Sequence, residues 1–175
     1  MRIRVRATAL FVAVLALPSF AWAQGRPVEL GIDAGVGFEL SGSNTVSVGV
    51  PTQSFRAGFF VADAVSIEPR LSLNYIHSGE SLVALAAELG PVFHFGSESG
   101  RSGPYLRPFG GINWLKVGSE SDAQLTAGGG LGVKIPIAQR LATRLEATFT
   151  HAFESSELGG GNALGGTIGF SFFTH

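Results

Sequence analysis

Eleven ionisable side chains are threaded through segments otherwise made of apolar residues, glycine, serine and threonine. They are Glu29, Asp33, Glu39, Arg56, Glu68, Arg70, Glu88, Arg107, Lys134, Arg144 and Glu146. Six are acids and five are bases, a near-neutral set. Opposite charges in these numbers point to mutual pairing in a confined space, or to the lining of a small pore. Other chemistry finds little support. The four histidines, His77, His94, His151 and His175, form no H-x-H or H-x-x-x-H pair, so no metal site is expected. The glycine cluster AGGGLGVK (127–134) has no Gly-Lys-Ser/Thr and no helix pattern after it, so it reads as small residues in a strand, not a phosphate loop. Cysteine is absent, which excludes thiol redox and Cys-based zinc chemistry. No cofactor is expected.

The elements that carry the charges share one pattern. In VELGIDAGVGFEL (28–40) every even position is apolar and every odd position is an acid or glycine. Such strict alternation is a β-strand with two unlike faces. The pattern recurs in seven more segments, over 44–61, 65–75, 83–95, 104–117, 124–137, 141–153 and 163–173. In the second the phase slips near Pro51, where a bulge is expected. The fifth, PYLRPFGGINWLKV, is the least regular; Leu106, Ile112 and Trp114 are set on its apolar face, with Arg107 and Asn113 opposite. Short turns such as 62–64 alternate with Ser/Gly/acid loops such as 96–103. Eight long alternating segments without linkers predict a single all-β domain, an eight-stranded antiparallel up-and-down barrel.

The N-terminus supplies an address. Arg2, Arg4 and Arg6 precede the apolar run ALFVAVLALPSF, and Ala21-Trp22-Ala23 follows. This three-part pattern predicts a secretory signal peptide over 1–23, cleaved after Ala23, with the barrel domain over 24–175. Cleavage would leave nine basic against thirteen acidic residues, a balance that argues against nucleic-acid binding.

Alternation alone does not say which face is inside. A soluble carrier barrel turns its apolar face inward; an outer-membrane barrel turns it toward lipid. Segment length favours the membrane, since a tilted spanning strand needs roughly 9–11 residues. So does the polar face, because glycine and charges of both signs suit a narrow lumen better than a water-washed exterior. Arg70 or Arg144 is expected to pair with Glu68, Glu88 or Glu146. If the first strand runs outward, Phe59, Phe93, Phe95, Tyr105, Phe170 and Phe172 fall near the periplasmic rim. Phe38, Tyr75, Trp114 and Phe149 then fall near the outer rim, giving two aromatic girdles.

The stretches RAGFFVADAVSIEPRLSLNY (56–75), GPYLRPFGGINW (103–114) and GGTIGFSFF (165–173) resemble the small outer-membrane β-barrel superfamily of the OmpA/OmpX type. The resemblance implies a transmembrane β-barrel in the cell outer membrane, in contact with outer-membrane lipid and lipopolysaccharide. It also implies recognition of the C-terminal strand by the barrel-assembly machinery, although here Thr174 and His175 follow the expected terminal aromatic. The role implied is structural or weakly porin-like, not enzymatic, with a lumen closed by paired charges. Two alternatives stand beside it. Lipid A deacylases are barrels of this size with a His-x-Ser-Asn motif, but THAFESSE places Phe153 two residues after His151, with Ser155 and Ser156 further on. A soluble periplasmic ligand-binding barrel requires the opposite orientation of the apolar face.

Overall fold

The computed structural model describes residues 26–40, 46–48, 52–78, 80–96, 100–117, 120–155 and 159–174. Every regular element in them is a β-strand: β1 (Val28–Leu40), β2 (Val46–Val48), β3 (Thr52–Ala62), β4 (Val65–Ser78), β5 (Glu80–His94), β6 (Gly103–Val117), β7 (Glu120–Ala138), β8 (Leu141–Ala152) and β9 (Gly161–Phe173). Sequential strands pair antiparallel from β3 to β9, and β9 returns to β1. The sheet therefore has no open edge. Strands β2 and β3 both pair with the same side of β1 and form one interrupted stave, so the barrel has eight staves. Phe38 pairs with Val48 while Gly35 pairs with Thr52. One extra residue therefore lies on the second stave, as the phase slip near Pro51 predicts. Its position, within 49–51, falls outside the described residues, as do residues 1–23 and the side chains of Glu39 and Tyr75.

The seam is continuous from Glu29 opposite Phe173 to Leu40 opposite Asn162. Thr174 extends it: its N–H donates to the Val28 carbonyl at 3.1 Å, and its hydroxyl accepts from the Val28 N–H at 3.0 Å. The residue beyond the terminal aromatic pair thus belongs to barrel closure. Two tight turns, around Asp63–Ala64 and Gln139–Arg140, carry the same device. In each, the register slips by one residue just before the turn, between Phe60 and Ala62 and between Pro136 and Ala138. Such bulges sharpen the local twist that a narrow cylinder demands.

The two faces are sorted as alternation requires. Leu30, Ile32, Leu71, Leu73, Leu125, Leu131, Leu145 and Ile168 are all exposed on the outer surface. Glu29, Asp33, Arg56, Glu68, Arg70, Arg107, Lys134, Arg144 and Glu146 are buried. A continuous apolar belt of this extent has no place in water. Phe38, Phe93, Phe95, Trp114, Phe149, Phe170 and Phe172 point outward, with Phe38 and Phe149 flanking Leu164 in one tier.

Two aromatic assignments are corrected. Tyr105 is fully buried, because it shares the inward parity of Arg107 on β6. Phe59 has outward parity but is 7% exposed, packed against Val28 and Ala57. Phe60, Phe109 and Phe173 also fill the interior.

The lipid-facing orientation carries an expected energetic signature. Leu145→Arg, at a position central to β8, should destabilise the barrel in a bilayer by about 2–4 kcal/mol. A charged substitution at a solvated surface position costs within about 0.5 kcal/mol. Equilibrium unfolding of the two proteins from lipid vesicles measures the difference.

Candidate functional site: the charged lumen

The interior is built around Glu146 on β8. Its carboxylate accepts from Arg107 Nη2 at 2.9 Å, from Arg144 Nη2 at 2.6 Å and from the Tyr105 hydroxyl at 2.8 Å. Arg70 Nη2 lies 3.1 Å from its Oε1. Three guanidinium groups on three strands therefore converge on one carboxylate. Glu68 is the second hub, 2.5 Å from Arg144 Nη1 and 3.3 Å from Arg70 Nη2. Glu29 accepts from Arg56 Nη1 at 2.5 Å and from Lys134 Nζ. Asp33 accepts from Arg56 Nε at 2.9 Å. Of the expected partners, Glu88 alone departs: it pairs with Arg107, at 2.9 Å, and not with Arg70 or Arg144.

Five cations (Arg56, Arg70, Arg107, Lys134, Arg144) face five carboxylates (Glu29, Asp33, Glu68, Glu88, Glu146) among the described residues. The cluster is formally neutral. Neutrality is what makes its burial tolerable, since an uncompensated charge in a dry interior costs several kcal/mol. Backbone pairing taken alone is mixed. Arg56 sits directly across from Arg70, and Lys134 directly across from Arg144, while Arg70 also faces Glu88. Like charges in register repel; here Glu29 and Asp33 of the adjacent β1 hold Arg56, and Glu29 and Glu68 reach across the lumen to Lys134 and Arg144.

Glycines make the room. A Cβ on Gly31 would meet Arg56 Cζ at 2.3 Å, so the guanidinium lies against bare backbone. On β7, a Cβ on Gly132 would meet the Tyr105 ring at 2.2 Å, one on Gly128 the Phe109 ring at 2.6 Å, and one on Gly130 the Glu146 carboxylate at 2.9 Å. The cluster AGGGLGVK is thus a flat wall against which the large lumen side chains stack.

The two ends of the lumen differ. At the end holding the tight turns, Phe60, Ala142 and Phe173 form an apolar cluster. His94 stacks on Phe60 with ring centroids 5.1 Å apart, and its Nε2 lies 3.0 Å from the Ser66 hydroxyl oxygen. The chain after β5 tucks inward: Gly100 is buried at φ +60°, and its carbonyl accepts from Lys134 Nζ at 3.1 Å. Arg101 donates to the Gln139 carbonyl at 3.4 Å and lies over the Phe173 ring. This end is plugged by side chains and by that connection. The other end is lined by hydroxyls and glycines above a floor of Arg70, Glu88, Arg107 and Phe109.

Among the described residues nothing else assembles a reactive centre of the expected kinds. His151 Nδ1 lies 2.9 Å from Asn162 Oδ1, whereas Ser155 donates to Asp122 at 2.5 Å. Among the described residues no group of three or more His, Asp or Glu side chains is placed to hold a metal ion.

The parity of β6 would have revealed Tyr105 and Phe109 as lumen residues, since both share it with Arg107. Parity also places Ser66, His94 and Ser171 on the polar face of their strands, but no local signal names their partners; Ser171 accepts from Arg56 Nη2 at 2.7 Å across 115 residues of chain.

This architecture, an eight-stave cylinder with an apolar exterior and a packed charged lumen, is the fold of the small outer-membrane β-barrels. Neisserial surface protein A (NspA) superposes with a TM-score of 0.69 at 15% identity, over 83% of this chain and 96% of that one. Ail, the attachment invasion locus protein of Yersinia pestis, superposes with a TM-score of 0.54 at 9% identity, over 85% of this chain and 98% of that one. Ail has also been solved in complex with the heparin analogue sucrose octasulfate. No protein-family model and no curated protein sequence matches the chain.

Two outcomes follow from the hub geometry. Glu146→Ala removes a shared carboxylate from Arg70, Arg107 and Arg144 at once, leaves the cluster with an uncompensated positive charge, and should cost about 3–5 kcal/mol. Glu88→Ala should cost less, because the Glu88 side chain is 19% exposed and, among the described residues, forms its ion pair with Arg107. Denaturant unfolding in detergent micelles ranks the two. Gly132→Leu, driven into Tyr105, should lower stability by about 1–3 kcal/mol or prevent folding. Gly129→Ala, with nothing within 4 Å of the added carbon, should be near neutral in the same assay.

Proposed function

We propose that this protein is an integral outer-membrane barrel with a structural or weakly porin-like role and a lumen closed by its paired charges. One observation carries the reading: every large guanidinium in the lumen is committed to a carboxylate, while the leucines and isoleucines face outward. A cylinder of eight strands is just wide enough to be filled by side chains, and here Arg107, Arg144, Lys134 and Tyr105 fill it. Such a plug is incompatible with a wide, water-filled channel.

The outward apolar belt supports contact with outer-membrane lipid and lipopolysaccharide. The pairing of Phe172 and Phe173 with β1 supports presentation of the last strand to the assembly machinery as the edge that closes the barrel. An N-terminal export signal, cleaved after Ala23, is the route this reading requires. A deacylase role is disfavoured, since Ser155 donates its hydroxyl to Asp122 and His151 faces Asn162. A soluble ligand carrier would need Leu30, Ile32 and Leu145 inside, and they are exposed.

The test combines address and closure. The expressed protein should remain with washed outer membranes after osmotic shock and migrate faster on a gel when unboiled. In planar bilayers it should show no large steady conductance. Release by osmotic shock would refute the membrane assignment, and sustained large currents would refute the closed lumen.

A further inference from the structure

A hollow of about 730 Å³ lies on the outer wall of the barrel, across β7, β8, β9 and β1. Its floor is Gly166 and Ala147, which face each other in register. A Cβ on Gly166 would meet nothing within 4 Å. Val36 and Leu131 bound the hollow within that tier, and Leu145 and Ile168 bound it one tier nearer the tight turns. One tier the other way stand Phe149 and Leu164, and beyond them His151 and Asn162, of the same outward parity. Two staves therefore carry a column of outward pairs, in order polar, bulky, small and bulky. The polar pair is only half engaged. His151 Nδ1 donates to Asn162 Oδ1 at 2.9 Å, and among the described residues the Asn162 Nδ2 hydrogens have no acceptor. Asn162 is exposed, and Phe153 stands edge-on to His151 with ring centroids 4.9 Å apart, an aromatic at the depth of the membrane interface. Idle amide donors at the rim of an apolar wall suit a carbonyl or hydroxyl acceptor.

We propose that this column seats one acyl chain of lipopolysaccharide. Asn162 Nδ2 donates to the amide or hydroxyl oxygen at the head of the chain, and the chain runs past Phe149 and Leu164 to fill the hollow over Gly166 and Ala147. The seat rests on the outer-membrane reading and gives its lipid contact a place. The distances agree with one leaflet. Asn162 and Gly166 are separated along β9 by about 13 Å, at about 3.3 Å per residue, and one hydrocarbon leaflet is about 15 Å deep. At about 30 Å³ for a water-sized group, the hollow takes a length of chain and not a single methyl group. Two features choose this lipid. The polar pair stands at the end of the barrel opposite the tight turns, the end this reading places outside, where lipopolysaccharide forms the leaflet. No lysine or arginine stands among the lining residues, and the pair offers a carboxamide and an imidazole, which match an uncharged amide or hydroxyl better than a phosphodiester. The hollow is also continuous with the apolar belt, so a chain enters it from the side without crossing polar surface.

The test uses the folded full chain in phosphocholine nanodiscs, doped with rough lipopolysaccharide or, separately, with phosphatidylglycerol of the same chain length. Methyl NMR follows Ala147, Leu164 and Ile168, with Leu71 and Leu73 on β4, three staves away and equally exposed to lipid, as controls. Lipopolysaccharide should shift the first three saturably and the controls by a small linear drift; phosphatidylglycerol should give drift alone. Gly166→Leu and Ala147→Leu each fill the hollow from the lipid side, and each should weaken the saturable binding by about tenfold or more, the scale of an overpacked site. Asn162→Ala should weaken it about three- to tenfold, the effect of one lost hydrogen bond. Equal saturation by phosphatidylglycerol, an equal response at Leu71 and Leu73, or unchanged binding in both filling variants would each overturn the seat. So would shifts that follow the number of protein copies per disc and ignore lipopolysaccharide, the mark of a second barrel in the hollow. Unboiled gel mobility reports the closed barrel of each variant with no added lipid, so failure of the seat and failure of the barrel reading are told apart.

Discussion

Charge neutrality inside a dry cylinder is the constraint from which the rest of this structure follows. Ten ionised groups occupy a space that side chains alone fill, and each is tolerable only because its counter-charge is within reach. Neighbouring staves supply part of this: Glu88 faces Arg70 in register, Glu29 and Asp33 on β1 hold Arg56 on β3, and Glu88 on β5 holds Arg107 on β6, while Arg56 also faces Arg70 and Lys134 faces Arg144. The rest comes from across the lumen, where Glu29 reaches Lys134 and Glu68 reaches Arg144. These long-range pairs form only when the sheet is closed, so barrel closure and charge compensation stabilise one another. An open sheet would leave Lys134 and Arg144 facing each other in register without Glu29 and Glu68.

Closure in turn sets where backbone must be bare. Guanidinium groups and tyrosine are long, and in a narrow lumen they lie down over the neighbouring stave, which must be flat where they cross it. Gly31 under Arg56, and Gly132 under Tyr105, provide that flatness. Glycine ordinarily weakens a strand. The cost is accepted here because a side chain at these positions would displace a member of the charge cluster. The abundance of glycine in β7 is thus a consequence of what stands opposite it, not of any turn or ligand loop.

The same economy explains the two ends. On the side of the tight turns, Gly100, after β5, lies against Phe60 and His94, and its carbonyl accepts from Lys134 Nζ. On the other side the lining shrinks to serine, threonine and glycine, which cannot fill the cylinder. One sequence feature, the size of the inward residue at each tier, therefore decides where the lumen is solid and where it is hollow.

What the sequence determines by itself is local: the alternation that sorts inward from outward residues, the number of staves, and the extra residue near Pro51. These are legible because a strand has a period of two, which any short window displays. Tyr105 shows the same rule from the other direction, since its parity with Arg107 placed it inside whatever its aromatic character implied. Only the tertiary structure decides which charges meet, that Glu88 serves Arg107, that Phe59 is covered by Val28 and Ala57, and that Ser171 completes Arg56. Those outcomes depend on register between staves and on distances across a closed cylinder. Neither is encoded in any contiguous stretch of residues; both appear only when the last strand meets the first.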